Sequence, residues 1–289
     1  MAELLQDLLD STVVRLTSVS DTPQLDAQVL LAYVFDKPRT WVIAHPALSP
    51  NDDQAAKLSV LLKRLELGEP LPYVLGNWEF FGLNFDISPQ VLIPRPETEL
   101  LVERAISWLQ ASPERRTIAD IGTGSGCIAI SFAVNVPKVH ILGTDISLPA
   151  LKVARQNAIK FNVTHQIDFV QCDLLPQHIN SLSSDRHFDL VCANLPYIPT
   201  GKLNTLPIYG HEPTIALDGG TDGLAPFRKF FKLVPEWMAS GGRILLEIEA
   251  TRGLAVLSLA YDVFSSAAIH LHQDLTGHDR LLEIQLPAN

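Results

Sequence analysis

The sequence predicts an α/β fold: a parallel-stranded sheet flanked by helices, preceded by a small helical domain and a β-hairpin. Three observations carry that prediction. Leucines recur at helical spacing through the first 75 residues, the mark of helices with one apolar face. An aromatic stretch, NWEFFGLNFDIS at 77–88, surrounds a glycine and reads as a hairpin. From Thr117 onward, short apolar runs alternate with helical periods, and such alternation builds a parallel sheet covered on both faces.

In the first segment, Leu4, Leu5, Leu8 and Leu9 form one apolar face, and Leu25, Val29, Leu30 and Val34 form another. Asp21 and Thr22 before Pro23 provide a capped helix start. Gln54 to Leu67, carrying Leu58, Leu61, Leu62 and Leu65, is a further helix closed by Gly68. The hairpin turn is placed at Gly82 and Asn84. This divides the chain into a helical domain 1–75, a hairpin linker 76–92 and an α/β domain 93–289. VLIPRPETEL, at 91–100, is stiffened by its prolines and leads into a helix that begins near Glu97.

The expected strands are TIADI, HILGTDI, QIDFVQC, FDLVCANL and GRILLEIE, with helices near 127–134, 149–161, 226–239 and 253–260. Two strand-like runs, 263–272 and 280–286, flank DLTGHD and fit a closing antiparallel hairpin.

Composition limits the function. Hydrophobic residues make up 47% and charged residues 19%, enough to bury a core and to exclude wholesale disorder. The 22 Lys and Arg against 32 Asp and Glu give a net charge of −10. A protein that grips many phosphates carries the opposite sign, so no direct nucleic-acid partner is expected. The first 88 residues hold six basic residues against twelve acidic ones.

Cys127, Cys172 and Cys192 form no C-x-x-C pair and read as buried, reduced, small apolar residues, with no metal site. The start MAELLQDLLDSTVVRL carries acids where a signal peptide carries positive charge. No apolar run approaches the roughly 18 residues of a membrane span. The expected protein is soluble, intracellular and cytoplasmic, with no membrane partner.

DIGTGSG, at 120–126, follows an apolar strand and opens a helix. Gly122, Gly124 and Gly126 allow a tight turn and close approach of backbone to a ligand. A dinucleotide fingerprint would need its third glycine at 127, where Cys127 stands. Asp145 ends the next strand, 23 positions after Gly122, where a carboxylate accepts hydrogen bonds from ribose hydroxyls. The spacing and the absence of a Walker lysine favour S-adenosyl-L-methionine over a dinucleotide or ATP. Asp173 and Leu174 end the third strand, where Leu174 meets an adenine ring.

The fourth strand ends in Asn194-Leu195-Pro196-Tyr197, and in open α/β sheets ligands bind beyond the carboxyl ends of the strands. An amide nitrogen is a poor nucleophile because its lone pair is delocalised. Held by two acceptors, the Asn194 side-chain oxygen and the Leu195 carbonyl, it is aimed at an electrophilic methyl. Pro196 restricts residue 195 to extended backbone, and Tyr197 offers a flat wall and a face for a sulfonium cation. Positioning carries the chemistry, and no base of shifted pKa is required.

With these motifs in place, the whole chain resembles the HemK/PrmC family of protein-glutamine methyltransferases. The likeness runs through LPYVLGNWEFFGLNFDISPQVLIPRPETEL (71–100), DIGTGSGCIAI (120–130), NLPYIP (194–199), HEPTIALDGGTDGL (211–224) and DLTGHDR (274–280). The resemblance implies a Rossmann-like, seven-stranded class I domain that depends on S-adenosyl-L-methionine and yields S-adenosyl-L-homocysteine. It implies methylation at N5 of the glutamine in the Gly-Gly-Gln motif of class-1 peptide chain release factors, bound partly by the helical domain. The enzyme is expected to be a monomer.

By position, Gly122, Thr123, Gly124, Ser125 and Gly126 face the donor's methionine moiety, Asp145 its ribose and Leu174 its adenine. Asn194, Leu195, Pro196 and Tyr197 hold the substrate amide, Asn194 also lying near the donor.

Two departures stand out. The family usually reads Asn-Pro-Pro-Tyr, and here Leu195 replaces the first proline. The carbonyl survives, and the lost ring restriction costs on the order of 0.4–1 kcal/mol. EIEATRG, at 247–253, replaces a more glycine-rich stretch. Alternatives are an amino-methyltransferase of adenine N6 or guanine N2, which must admit a base, and a non-catalytic donor-binding module. An NAD-dependent dehydrogenase has no visible proton donor. His270 and His272 share one face of a strand as a satisfied pair. Glu97 and Glu99 are helix-start acids, and Arg95 is a candidate cleft contact.

Overall fold

The computed structural model describes residues 4–176 and 187–288, and the chain divides into two compact units, Met1–Asn77 and Trp78–Asn289. The smaller unit holds α1 (Leu5–Leu16), α2 (Pro23–Phe35), α3 (Arg39–Ala44), α4 (Asp52–Glu66) and α5 (Leu71–Leu75). Leu5, Leu8, Leu9 and Leu16 of α1 are buried with Ala27, Leu30, Leu31 and Val34 of α2 and the four leucines of α4.

Leu4 and Leu25 depart from the expected faces, being 40% and 42% exposed. Leu4 is the extended N-cap of α1, outside the helical row. Leu25 lies two residues from Ala27, about 200° around the helix. Thr22 is the N-cap of α2 but caps no backbone N–H; its hydroxyl donates to Asp26 instead.

The larger unit begins with the hairpin, β1 (Asn77–Phe80) and β2 (Leu83–Asp86). Its turn is at Phe81-Gly82, with φ of +51° and +70°, matching the right-handed twist of the strands; Asn84 belongs to β2. The remaining strands are β3 (Thr117–Ile121), β4 (His140–Asp145), β5 (Ile167–Gln171), β6 (Phe188–Ala193), β7 (Met238–Glu247), β8 (Ala268–Gln273) and β9 (Asp279–Gln285). The helices are α6 (Thr98–Ala111), α7 (Cys127–Asn135), α8 (Leu148–Lys160), α9 (Ala225–Leu233) and α10 (Gly253–Val263).

The sheet order is β5-β4-β3-β6-β7-β9-β8, parallel from β5 to β7 and antiparallel at β9 and β8. Fully buried parallel strands need apolar residues on both faces, and Ile118, Ala119, Ile121, Leu190, Val191, Cys192 and Ala193 supply them.

The hairpin is built into this unit and is not a free linker. Asn157 of α8 is completely buried, and its amide accepts the Asp86 N–H at 2.8 Å and donates to the Asp86 and Ser125 carbonyls at 2.9 Å. Three expected boundaries shift. The helix expected to 239 ends at Leu233, because Pro235 lacks the N–H a helix needs there, and β7 begins at Met238. The run expected as a strand from 263 stays helical through Val263, with the Phe264 N–H bonded to Ala260, and β8 begins only at Ala268. Cys192 is buried, whereas Cys127 and Cys172 are half-buried. Among the described residues, no helix is long and apolar enough to cross a membrane.

Candidate active site

The chain runs from β3 outward through β4 and β5, then returns to place β6 on the other side of β3. The strand order reverses between β3 and β6, where open α/β sheets leave a crevice. The glycine loop follows β3 and the Asn-Leu-Pro-Tyr turn follows β6, so both face this point.

Gly122 and Gly124 hold φ of +73° and +56°, and a Cβ at either would meet nothing nearer than 3.9 Å. Backbone conformation selects glycine there, and the space beside it opens into a cavity of about 220 Å³. Gly122, Gly124, Asp145, Leu174, Asn194, Leu195 and Pro196 line this cavity, joined by Val91, Leu92, Pro213 and Ile215.

The other loop residues lie elsewhere. A Cβ on Gly126 would come within 2.9 Å of Ile130 Cδ1 and 3.3 Å of Ala154 Cβ, so this glycine lets α7 approach α8. Thr123 and Ser125 are buried; the Thr123 hydroxyl donates to Asp120 at 2.6 Å, and the Ser125 carbonyl accepts from Asn157. Thr123, Ser125, Gly126 and Tyr197 are therefore not in the cavity wall, although their sequence neighbours are.

Asp145 braces the loop as well as lining the cavity. One carboxylate oxygen accepts the Gly124 N–H at 2.9 Å and the other the Ser147 N–H at 2.8 Å. Burial raises its pKa, against these donors. Asp120 beneath it is completely buried, with one oxygen bonded to Thr123 and Ala129 and the other without a hydrogen-bond partner. Burial pushes its carboxyl up to about 7. Leu174 holds φ of +68°, its carbonyl accepting the Thr144 hydroxyl at 2.6 Å.

The turn after β6 is held from two sides. Ile198 donates its N–H to the Leu217 carbonyl at 3.0 Å, and its own carbonyl accepts the Gly219 N–H at 2.8 Å. A Cβ on Gly219 would lie 2.8 Å from the Tyr197 backbone, and one on Gly223 only 2.3 Å from the Tyr197 carbonyl oxygen. The glycines of HEPTIALDGGTDGL thus permit this close packing. Glu212 of the same motif pairs with Arg95 and accepts the Ile93 N–H at 3.1 Å, tying VLIPRP to the segment that braces the turn. Arg95 is accordingly a structural partner of Glu212. Glu99 accepts the Phe81 N–H at 2.8 Å, and Glu97 is the N-cap residue of α6.

Two acceptors of the turn remain open: neither the Asn194 side-chain oxygen nor the Leu195 carbonyl receives a hydrogen bond from any described residue. The Asn194 nitrogen, by contrast, donates to the Thr98 hydroxyl at 3.2 Å, and that hydroxyl donates to Glu247 at 2.5 Å. Burial raises the Glu247 carboxyl to about 7, opposed by the Thr98 and Asn194 hydrogen bonds and reinforced by Glu97.

Sequence reasoning assigned no role to Thr98, Glu212 or Glu247. The one readable signal was Glu247, an acid inside the apolar strand GRILLEIE. Tyr197, its phenol pushed up to about 12 by burial, is neutral. His272 meets Glu283 at 2.8 Å, and no group of three or more potential metal ligands occurs among the described residues.

A glycine loop and the Asn-Leu-Pro-Tyr turn on either side of the switch point of a seven-stranded sheet define a methyltransferase of the class I α/β type. Residues 97–206 match the methyltransferase small domain family, and residues 7–76 match the PrmC N-terminal domain. A methyltransferase from Pyrococcus furiosus shares the fold at a TM-score of 0.51 and 14% identity, over 82% of this chain and all of that one.

The release factor glutamine methyltransferase of Coxiella burnetii is 40% identical over 93% of this chain and 94% of its own length. That of Moorella thermoacetica is 38% identical over 90% of each. The chain belongs to this family, the HemK/PrmC protein-glutamine methyltransferases.

Proposed function

We propose that this enzyme transfers the methyl group of S-adenosyl-L-methionine to N5 of the glutamine in the Gly-Gly-Gln motif of class-1 peptide chain release factors. The observation that carries the reading is the pair of open acceptors, Asn194 Oδ1 and the Leu195 carbonyl, on residues lining the cavity that the glycine loop also lines. The walls suit such a donor. Gly122 and Gly124 leave room for its amino-acid moiety, the Asp145 carboxylate for ribose hydroxyls, and Leu174 an apolar surface for adenine.

When bound, the donor supplies a methyl carbon made electrophilic by a sulfonium. Asn194 Oδ1 accepts one N–H of the substrate carboxamide and the Leu195 carbonyl accepts the other. The amide plane is thereby fixed, with the nitrogen lone pair facing the methyl. Pro196 holds Leu195 in extended backbone and so aims its carbonyl. The Gly219 and Gly223 segment keeps the turn from relaxing. Transfer would form the C–N bond as the methyl–sulfur bond breaks, its electron pair staying on sulfur so that S-adenosyl-L-homocysteine leaves, and the nitrogen, then acidic, would release one proton to water. Orientation and fixed dipoles carry the acceleration.

The support is the family membership together with this geometry. The helical unit is proposed to bind the release factor. Mass spectrometry of a class-1 release factor incubated with enzyme and donor tests the reading. One added methyl on the Gly-Gly-Gln glutamine is expected. Methylation of a nucleic acid in its place, or of neither, sinks it.

A further inference from the structure

A carboxamide has two orientations that exchange oxygen and nitrogen, and only one presents an acceptor to the substrate. We propose that Thr98 and Glu247 are positioning residues that lock the Asn194 side chain with its oxygen toward the cavity. The inference rests on the function proposed above and deepens it. Neither residue is among those lining the cavity, so both act through Asn194.

Thr98 is buried and its hydroxyl, with a single proton, lies between two partners: Glu247 at 2.5 Å and the Asn194 amide at 3.2 Å. An ionised carboxylate only accepts, so the hydroxyl proton goes to Glu247. The Thr98 oxygen is then an acceptor, and the Asn194 group facing it must be the NH2. A flipped amide would set two oxygens against each other with no proton between them, in a buried site where an unmade hydrogen bond is expensive. Asn194 also donates toward Glu247, which favours the same orientation.

Protonation of Glu247 reverses the logic. A neutral carboxyl can donate to Thr98, freeing the Thr98 proton to point at Asn194 and favour the flipped amide. The charged and titratable groups acting on Glu247 are Glu97 at the start of α6, which raises its pKa, and Arg280 of β9, which lowers it. Tyr197, in the turn after β6, stays neutral, as does the Cys127 thiol at the start of α7, which burial pushes up to about 12 with the Glu247 charge adding to the rise. Burial places the Glu247 transition at about 7, so transfer should rise with pH through that region.

Thr98→Val, Thr98→Ser and Glu247→Gln test the lock, with release factor as acceptor. Thr98→Val is expected to lower kcat by about 10- to 100-fold, the scale of a misplaced reacting group. KM for the acceptor and donor affinity by calorimetry should stay within about twofold, since ground-state binding is not what the lock serves. Thr98→Ser restores the hydroxyl and kcat. Glu247→Gln flattens the rise of kcat near pH 7. Wild-type kcat in Thr98→Val, a serine variant as impaired as the valine, or an unaltered pH profile in Glu247→Gln overturns the proposal.

Proton exchange of the Asn194 side-chain NH2, followed by NMR without any acceptor, separates this inference from the function it rests on. Faster exchange in Thr98→Val supports the lock even if release factor proves to be the wrong substrate. Unchanged exchange overturns it even if release factor is methylated.

Discussion

Leu195 stands at the position of the first proline in the family's usual Asn-Pro-Pro-Tyr, and its surroundings bear on that exchange. Its N–H makes no hydrogen bond with any described residue, so a proline ring would remove no bond. Its side chain is buried against the core, which a proline would fill less completely. Leu195→Pro should therefore keep or raise kcat. The gain of about 0.4–1 kcal/mol from a stiffer unfolded chain would be offset in the melting temperature by lost packing. A folded but inactive variant would show that the carbonyl is not the acceptor.

Gly223 is the opposite case. It combines φ of +77° with a 2.3 Å approach to the Tyr197 carbonyl oxygen, a backbone atom that cannot rotate away. Gly223→Ala should displace the turn, lower stability by about 1–3 kcal/mol and lose most of the transfer. Gly210→Ala, with φ of +82° and nothing within 4 Å, is the control for left-handed strain alone. Equal kinetics in the two variants would refute the bracing role.

At the scale of elements, Asn157 joins three pieces. It carries both backbone groups of Asp86 in β2 and the Ser125 carbonyl in the glycine loop. Asn157→Leu would strand these groups in a buried site, each costing about 1–3 kcal/mol. Thermal unfolding should fall by several degrees, and donor affinity should fall with it as the loop loosens. A loss of stability with unchanged donor binding would mean that the loop holds its shape without this clamp.

Such links explain what the sequence disclosed. Buried parallel strands are continuous apolar runs, and the glycine loop is legible because its left-handed backbone restricts the residue type. The turn after β6 was legible because Asn194, Pro196 and Tyr197 fall within four consecutive residues. Thr98 with Glu247 was not, nor was Arg95 with Glu212: these partners lie 149 and 117 residues apart, and only the sheet order brings them together. Helix ends failed where local pattern and long-range pairing disagreed, as at Val263. There an apolar, aromatic run resembles a strand, but it has no partner strand before Ala268.

For the whole molecule, buried acids set how stability varies with pH. Asp120 and Glu247 both have pKa values raised by burial to about 7 from ordinary values of 3.8 and 4.5. Between about pH 4.5 and 7 the folded chain therefore binds protons that the unfolded chain has lost. Stability must fall as pH rises through that window, levelling off above it. Each acid contributes on the order of 3–4 kcal/mol across the window.

Two kinds of group act in the other sense. His272, its pKa lowered by burial, loses stability as pH falls below about 6.5, the ordinary histidine value. Asp222 and Asp274, held low by their hydrogen bonds with Arg228, Thr276 and Arg280, lose it only in stronger acid. The two buried carboxyls outweigh one partly exposed imidazole, so the melting temperature should peak near pH 5 and decline toward pH 8. Glu247→Gln should raise the melting temperature at pH 8 and leave it nearly unchanged at pH 5, because glutamine removes the cost of an ionised group and nothing else in acid. A wild-type melting temperature that rises steadily from pH 5 to pH 8 would mean that these carboxyls ionise in the folded protein as easily as in water.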